Sequence, residues 1–214
     1  MHPAAAFGWD DAAALAFAAE VAFAHIFVLT PYGPRVAHAP LLIADGRARF
    51  HLSNGNALTP HLGGSYATAS VAAHDHYVSP NWYAAADQVP TWNYVAVELA
   101  GPVRRLDAGE LVALLDASAA TFEPRVGEGW TRAKMTPARF DAMCGGITGF
   151  ELTIETLRAT RKLSQNKGDA DVAGVTSALE KLGRDDVAAV VRATRLGGLS
   201  GASPVASPGA QQRR

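Results

Sequence analysis

Two stretches of this chain carry residue types whose spacing could do chemistry. The first is Tyr77-Val78-Ser79-Pro80-Asn81-Trp82-Tyr83 followed by Val89-Pro90-Thr91-Trp92-Asn93-Tyr94, which holds two of the four tryptophans. Rings with polar handles alternate there with Ser79, Asn81, Thr91 and Asn93. Flat apolar faces mixed with hydrogen-bonding groups suit a pocket for a planar polar ligand, but taken alone the stretch favours rings that staple a loop onto the core. The second stretch, Lys162-Leu163-Ser164-Gln165-Asn166, sets four polar residues around one leucine, more than a connector needs. A further candidate is the face shared by Arg47, Arg49 and His51, which runs into Ser53-Asn54-Gly55-Asn56. Cationic strand positions ahead of small polar loop residues could hold a phosphate. For Arg47 and Arg49 taken singly, a solvated strand face is favoured. His74 and His76, at i and i+2, permit a metal, but no third ligand stands near them, which argues against zinc. Cys144, the one cysteine, follows Met143 and precedes Gly145-Gly146, a setting for helix-end packing rather than for a nucleophile.

Several elements must position these groups. Pro80 and Pro90 exclude a regular helix or a central strand through the aromatic stretch, and they bias Ser79 and Val89 to extended backbone. A rigid loop entering a strand near Trp92 follows. Upstream, Asp10 or Asp11 caps a helix to about Val21, and His25 to Thr30 reads as a buried strand. Arg35 to Ala44 returns as a strand, Asp45-Gly46 is a hairpin turn, and Arg47 to Leu52 alternates with Ala48, Phe50 and Leu52 on the inner face. Ala57 to Leu62 forms a short helix and Tyr66 to Ala73 another strand. Downstream, Tyr94 to Leu106 is a long strand with a bulge or edge position at Gly101-Pro102. A helix runs from Asp107 to about Phe122, and Pro124, Gly127 and Gly129 make Glu123 to Met135 a loop anchored by Trp130. Thr136-Pro137 opens a helix that ends at Gly145-Gly146. Ile147 to Leu157 alternates as a strand, with Phe150, Leu152 and Ile154 inward and Glu151, Thr153 and Glu155 outward. Arg158 to Asn166 reads as basic and irregular. Asp169 to Leu182 and Asp185 to Leu196 form a helical hairpin broken at Gly183, and from Gly197 the composition is that of a disordered tail. Six or seven antiparallel strands with helices inserted late predict a mainly β fold, a closed or partly open barrel with helical additions.

Composition bounds the function. A chain of 214 residues, 49% hydrophobic, permits one large domain or one domain with a small appendage. A single cysteine excludes an intrachain disulfide and suits a reducing compartment. The net charge of −1 supplies no overall basic field towards nucleic acid or anionic membrane. The last two helices have a helix-turn-helix outline without a specific signature, so direct DNA binding is the weakest option. Asp10, Asp11 and Glu20 interrupt the alanine-rich N-terminal stretch, which predicts neither a signal peptide nor a membrane span. A soluble cytoplasmic protein is the expectation.

The motifs Tyr77 to Tyr83, Val89 to Tyr94, Gly149-Phe150-Glu151 and Lys162 to Asn166 occur in the order seen in the PaiB-like family of FMN-binding negative transcriptional regulators. The chain resembles that family from about Trp9 to Leu182. His38 and Pro40 resemble its histidine and proline on an early strand, and His51-Leu52 its strand end. The resemblance implies an antiparallel split β-barrel of the pyridoxamine-phosphate-oxidase-like kind with C-terminal helices. It implies a homodimer with FMN at the subunit interface, and a negative regulatory role. The expected organisation is a split-barrel domain over 1–167, a helical hairpin packed on it over 168–196 and a disordered tail over 197–214. By the same resemblance, Lys162 faces the FMN phosphate, with Arg49 as a substitute cation. Ser164, Gln165 and Asn166 bond the ribityl chain or the ring. Ser79, Thr91 and Asn93 line the pocket, Trp82 or Trp92 covers the isoalloxazine, and His38 and His51 sit near its edge.

The sequence departs from the family at Asn54, where an arginine is common, at Arg161, where an aromatic usually precedes the lysine, and in the short link Ala84 to Gln88. Loss of a charge-assisted contact at Asn54 weakens FMN by about 1.5–3 kcal/mol. Other readings stay open: a flavin-dependent oxidoreductase acting on a small substrate, and a flavin-free or haem-binding split barrel. No catalytic residue is assigned.

Overall fold

The computed structural model describes residues 2, 4–127 and 129–195; the tail expected over 197–214 lies outside them. Eight strands carry the fold: β1 (Phe23–Thr30), β2 (Gly33–Pro40), β3 (Leu42–Ala44), β4 (Arg47–Ser53), β5 (Tyr66–Val78), β6 (Thr91–Arg105), β7 (Ile147–Thr153) and β8 (Thr156–Lys162). They form one sheet in the order β2-β1-β5-β6-β7-β4-β3, with β8 on β6. Six helices accompany them: α1 (Asp11–Val21), α2 (Thr59–Leu62), α3 (Ala108–Val126), α4 (Pro137–Cys144), α5 (Asp169–Lys181) and α6 (Asp185–Arg195). The sheet does not close, and the fold is a mainly β, antiparallel split barrel with C-terminal helices. Among the described residues no helix is long and apolar enough to cross a membrane. The chain divides into two units: a strand-rich unit of Ala18–Val71 and Val97–Arg158, and a hairpin unit of Met1–Phe17, Ala72–Ala96 and Ala159–Arg214.

In the strand-rich unit, alternation does most of the work. Ala48, Phe50 and Leu52 of β4 are buried, and Phe50 pairs across the ladder with Phe150 of β7, their rings 5.6 Å apart. The β3–β4 hairpin turns on Asp45 and Gly46, both left-handed at φ +51° and +70°, which matches the twist of the flanking strands. Helix α3 starts from a capping box in which Asp107 and Glu110 each bond the other's backbone N–H. Gly101 is buried in β6, where a Cβ would stand 1.8 Å from the Thr153 carbonyl oxygen. Glycine is required there by close backbone approach.

Several expectations change: the sheet has eight strands where six or seven were expected, and β5 runs past Ala73 to Val78. The strand expected over Arg35 to Ala44 breaks at Leu41, whose buried side chain leaves the ladder while its N–H bonds the Ala22 carbonyl. Helix α3 continues past Phe122 through Pro124 to Val126 and stops at left-handed Gly127. A proline in the last turn forfeits only one intrahelical bond, so it does not end the helix by itself. The strand expected over Ile147 to Leu157 divides at Ile154-Glu155, whose N–H groups bond Gly46 and Ala100. Arg158 to Asn166, expected to be irregular, is strand β8 as far as Lys162, with Thr160 fully buried. Polar residues on both of its faces concealed the period.

The hairpin unit is organised around α5 and α6. Val172, Val175, Leu179, Val187 and Val191 form an apolar cluster with Val78, Tyr83, Val95 and Leu163, and Trp9, Phe17 and Trp82 pack against it. The aromatic stretch begins as the end of β5, makes a 3₁₀ turn at Pro80–Trp82 and re-enters the sheet at Thr91. Two contacts fix this loop to α5. Asp171 accepts the Ala85 N–H at 2.9 Å, and a Cβ on Gly174 would lie 2.0 Å from the Trp82 carbonyl oxygen.

Candidate functional site

Within the hairpin unit, Thr91 and Asn93 stand two residues apart on β6 and so share a face, Lys162 ends β8, and Ser164 and Asn166 lie in the turn beyond it. Ser164 is left-handed at φ +63°, a conformation that costs a non-glycine residue about 1–3 kcal/mol. Asn93 holds it there: its Nδ2 donates to Ser164 Oγ at 3.1 Å, and Ser164 Oγ donates to Asn93 Oδ1 at 3.2 Å. Both side chains are buried. The Lys162 ammonium donates to the Thr91 hydroxyl and lies 5.9 Å from the Phe7 ring centroid.

These five residues line one cavity of about 240 Å³, together with His2, Phe7, Tyr83, Val89 and Lys167. The Lys167 ammonium donates to Gln88 and sits 4.6 Å over the Tyr83 ring. Among the described residues no Asp or Glu lines the cavity. The Tyr83 side chain is nine-tenths buried and its hydroxyl has no hydrogen-bond partner among the described residues; Ser164 is near but outside bonding geometry. Burial, and then the charge of Asp171, push the phenol pKa up, so the hydroxyl stays a donor. Two ammonium groups, an unsatisfied phenol, two amides and two hydroxyls fit a phosphate ester with a polyol chain. The cavity is the size for that polar half of a flavin nucleotide, since whole-ligand pockets run to about 300–1,000 Å³.

The other expected site residues lie elsewhere. Ser79 caps the 3₁₀ turn by accepting the Asn81 N–H at 3.3 Å. Trp82 packs on the helical cluster, and Trp92 is 54% exposed with its ring edge-on to Tyr77. Gln165 is consumed by backbone: its Oε1 accepts the Leu163 N–H at 2.7 Å and its Nε2 donates to the Ala6 and Arg161 carbonyls. Arg161 itself lies over Trp9 at 5.3 Å. His38, Arg49 and His51 belong to the strand-rich unit and do not line this cavity. His38 is exposed, edge-on to His25 at 4.8 Å. His51 faces a second cavity. Lys167 and Tyr83 were missed; Lys167 directly follows the polar run, and Tyr83 closes the first aromatic motif.

Arg49 has a partner that sequence parity concealed. Glu151 does point away from Phe150 and Leu152, yet it is only 3% exposed. Its direct neighbours in register are Arg49 on β4 and Arg104 on β6. Arg49 Nε donates to it at 2.7 Å and Arg104 Nε at 2.9 Å, with Arg47 at 3.7 Å. Arg104 also grips Glu110 through two bonds of 2.8 and 2.7 Å. The expected outward Glu151 is thus roofed by arginine side chains, and Arg49 is already paired. Asn54, the departure from arginine, is equally engaged: it donates to the Gly145 carbonyl at 2.8 Å and accepts from Thr148 at 2.7 Å.

One family model matches most of the chain, and relatives and solved structures are similar to it in part. The model described as "Putative FMN-binding domain" matches residues 1–156, ending before Lys162. Protease synthase and sporulation protein PAI 2 of Bacillus subtilis is 33% identical over 104 residues, covering 49% of this chain and 50% of that protein. An uncharacterized protein of Emericella nidulans is 29% identical over 127 residues, covering 52% of this chain and 51% of its own. The chain spans about half the length of the curated relatives it matches. Among solved structures, the flavocytochrome Anf3 from Azotobacter vinelandii aligns with a TM-score of 0.57 at 16% identity, over 74% of this chain and 72% of that one. An FAD and heme binding protein from Mycobacterium smegmatis aligns at 0.53 and 17%, over 75% of each chain. At these identities the likeness is one of fold.

Proposed function

Given that this chain belongs to the family of FMN-binding domains, we propose that it holds FMN by its phosphate and ribityl chain in the cavity beside Ser164. Lys162 and Lys167 bind the phosphate as point charges, and Tyr83 donates to one of its oxygens. Asn93 fixes Ser164, and Thr91, Ser164 and Asn166 bond the ribityl hydroxyls. FMN, when bound, supplies hydride and single-electron transfer. The observation that carries the reading is the buried Tyr83 hydroxyl: among the described residues it has no partner, and its cavity is lined by two ammonium groups and no carboxylate. Leaving such a hydroxyl unsatisfied costs about 1–3 kcal/mol, which an incoming acceptor recovers. The test is a titration of the purified chain with FMN and with riboflavin, followed by flavin fluorescence and the visible spectrum. FMN should bind at least about tenfold tighter than riboflavin, the value of one charge-assisted contact. Equal affinity for both, or none for either, rejects the assignment.

The regulatory role implied by the family resemblance is proposed to act through a homodimer rather than through direct DNA contact, since the net charge is −1. The outer face of β1 supports the dimer. Phe23, Phe27 and Leu29 are 49%, 46% and 77% exposed, beside Val36 of β2 and Tyr66 of β5 at 43% and 55%. Contiguous exposed apolar surface of this kind marks an interaction site. Sedimentation equilibrium of the chain and of Phe27→Arg decides it: a dimer that the substitution breaks is expected, and a monomer at all concentrations rejects it.

A further inference from the structure

We propose that the strand-rich unit carries a second binding site, for an uncharged flat molecule of two or three rings with one polar atom. Helix α4 is the starting point. Phe140, Met143 and Cys144 fall on one face, at i, i+3 and i+4, yet no residue of α4 is buried. Short helices owe their stability to packing of an apolar face, so a stripe without a core to meet calls for another partner. This stripe faces a cavity of about 460 Å³, closed on the other side by Leu115, Ala119 and Phe122 of α3 and by Trp130. These α3 residues are a second stripe; Leu111 and Leu114 are the ones that bury against the barrel.

The polar groups in the wall are nearly all closed on one another. Arg132 pairs with Asp116 at 3.1 Å and lies over the Phe140 ring at 5.7 Å. Glu123 accepts the Trp130 backbone N–H at 2.9 Å, and Ser118 donates to the Leu114 carbonyl at 2.7 Å. His51 is open to a ligand. It has no hydrogen-bond partner among the described residues, and its cross-strand neighbour is Gly149, which has no side chain to cover the ring. Burial lowers its pKa, so the imidazole is neutral and offers one donor and one acceptor. An anionic ligand would lose its hydration here while the Arg132 guanidinium is already paired, whereas a neutral aromatic one stacks on the rings and meets His51 with a single N or O. The volume lies in the usual range for small-molecule sites, about 300–1,000 Å³. Residues 196–214 contain no aromatic residue to match these walls.

The sole cysteine lies in the wall, which makes occupancy directly readable. The full-length chain is titrated with N-phenyl-1-naphthylamine, a neutral fluorescent probe with one N–H. Saturable binding is expected, with the reaction of Cys144 towards a disulfide reagent slowed about tenfold at saturation, as burial of most of the bound molecule requires. Ala119→Trp, which fills the cavity, should weaken the probe about tenfold, and His51→Leu about fivefold for the lost hydrogen bond. Neither should alter FMN titration. Non-saturable fluorescence overturns the proposal, and so does saturable binding that leaves the Cys144 rate unchanged. Cys144 protection that depends on protein concentration without probe also overturns it, by giving the cavity to a second copy. If Ala119→Trp fails to fold, protection of Cys144 in the unaltered chain decides alone.

Discussion

Around Glu151, three arginines from two strands close on one buried carboxylate; beside Ser164, two lysines face a cavity whose described wall contains no carboxylate. The same charge type is handled in opposite ways. In the first place strand register sets Arg49 and Arg104 directly opposite Glu151, Arg47 reaches it from one side at 3.7 Å, and Arg104 bridges Glu151 to Glu110 at the start of α3. The cluster ties three strands and a helix together. In the second, the lysines rest on hydroxyl, amide and ring faces, contacts that a phosphate can replace or join. A cation matched by an anion is structural, and a cation left among neutral groups is available to a ligand.

Removing Glu151 should break the first region hardest. Glu151→Leu leaves Arg47 and Arg49 without their anion and Arg104 with Glu110 alone, a change worth about 3 kcal/mol, at the low end for broken buried pairs because the guanidinium heads remain partly solvated. Urea unfolding measures it, and an effect below 1 kcal/mol, roughly that of a surface pair, would place the cluster in water. Acid makes the same comparison without mutation. Burial, the largest single influence on Glu151, raises its pKa, but the hydrogen bonds of Arg49 and Arg104 and their charges together hold it below the ordinary value. Glu110 is lowered to about 2, first by Arg104 and then by the Asp107 backbone N–H. A carboxyl depressed in the folded state stabilises fully above its unfolded pKa and loses that stabilisation as pH falls through the folded one. Stability should therefore drop as pH falls from the ordinary carboxylate value of 4.5 towards 2, and Glu151→Gln should flatten part of that slope.

The second region should respond in affinity rather than in stability. Lys162→Ala is expected to weaken FMN by about 1.5–3 kcal/mol while leaving riboflavin unchanged, since only the phosphate meets the ammonium. Equal loss for both ligands would move Lys162 away from the phosphate. Ser164→Ala is intermediate. It strands the buried Asn93 amide and should cost about 1–2 kcal/mol of stability. Ser164→Gly should cost less, because glycine relieves the left-handed backbone at φ +63°.

How far the sequence carries such distinctions depends on what each signal encodes. Alternation correctly placed Ala48, Phe50 and Leu52, and local turn and cap chemistry located Asp45-Gly46 and Asp107. Alternation reports the side to which a residue points, not what covers that side, so Glu151 was legible in direction and not in burial. Strand β8 has polar residues on both faces, and a period of two leaves no trace there. In the candidate site, Thr91, Asn93, Lys162, Ser164 and Asn166 were legible as motif residues and the fold brings them to one cavity. Lys167 and Tyr83 were not, because their role depends on a contact between positions 83 and 167 that no local pattern encodes. Trp82 and Trp92 have the chemistry to cover a flavin ring, but backbone direction turns one to the helices and the other to solvent.

Tyr83→Phe gives the smallest effect and the cleanest separation. Its hydroxyl has no partner among the described residues, so deleting it removes a buried unsatisfied group and creates no cavity larger than one oxygen. Stability should stay within about 0.5 kcal/mol or rise, the opposite of what loss of a structural tyrosine hydrogen bond produces. FMN affinity should nonetheless fall about fivefold, near 1 kcal/mol, with riboflavin unaffected. The two readouts move apart only if the hydroxyl is kept for a ligand. A parallel loss of stability and affinity would instead mean that Tyr83 bonds Ser164 in solution, and the hairpin unit would then resemble the self-satisfied arginine cluster.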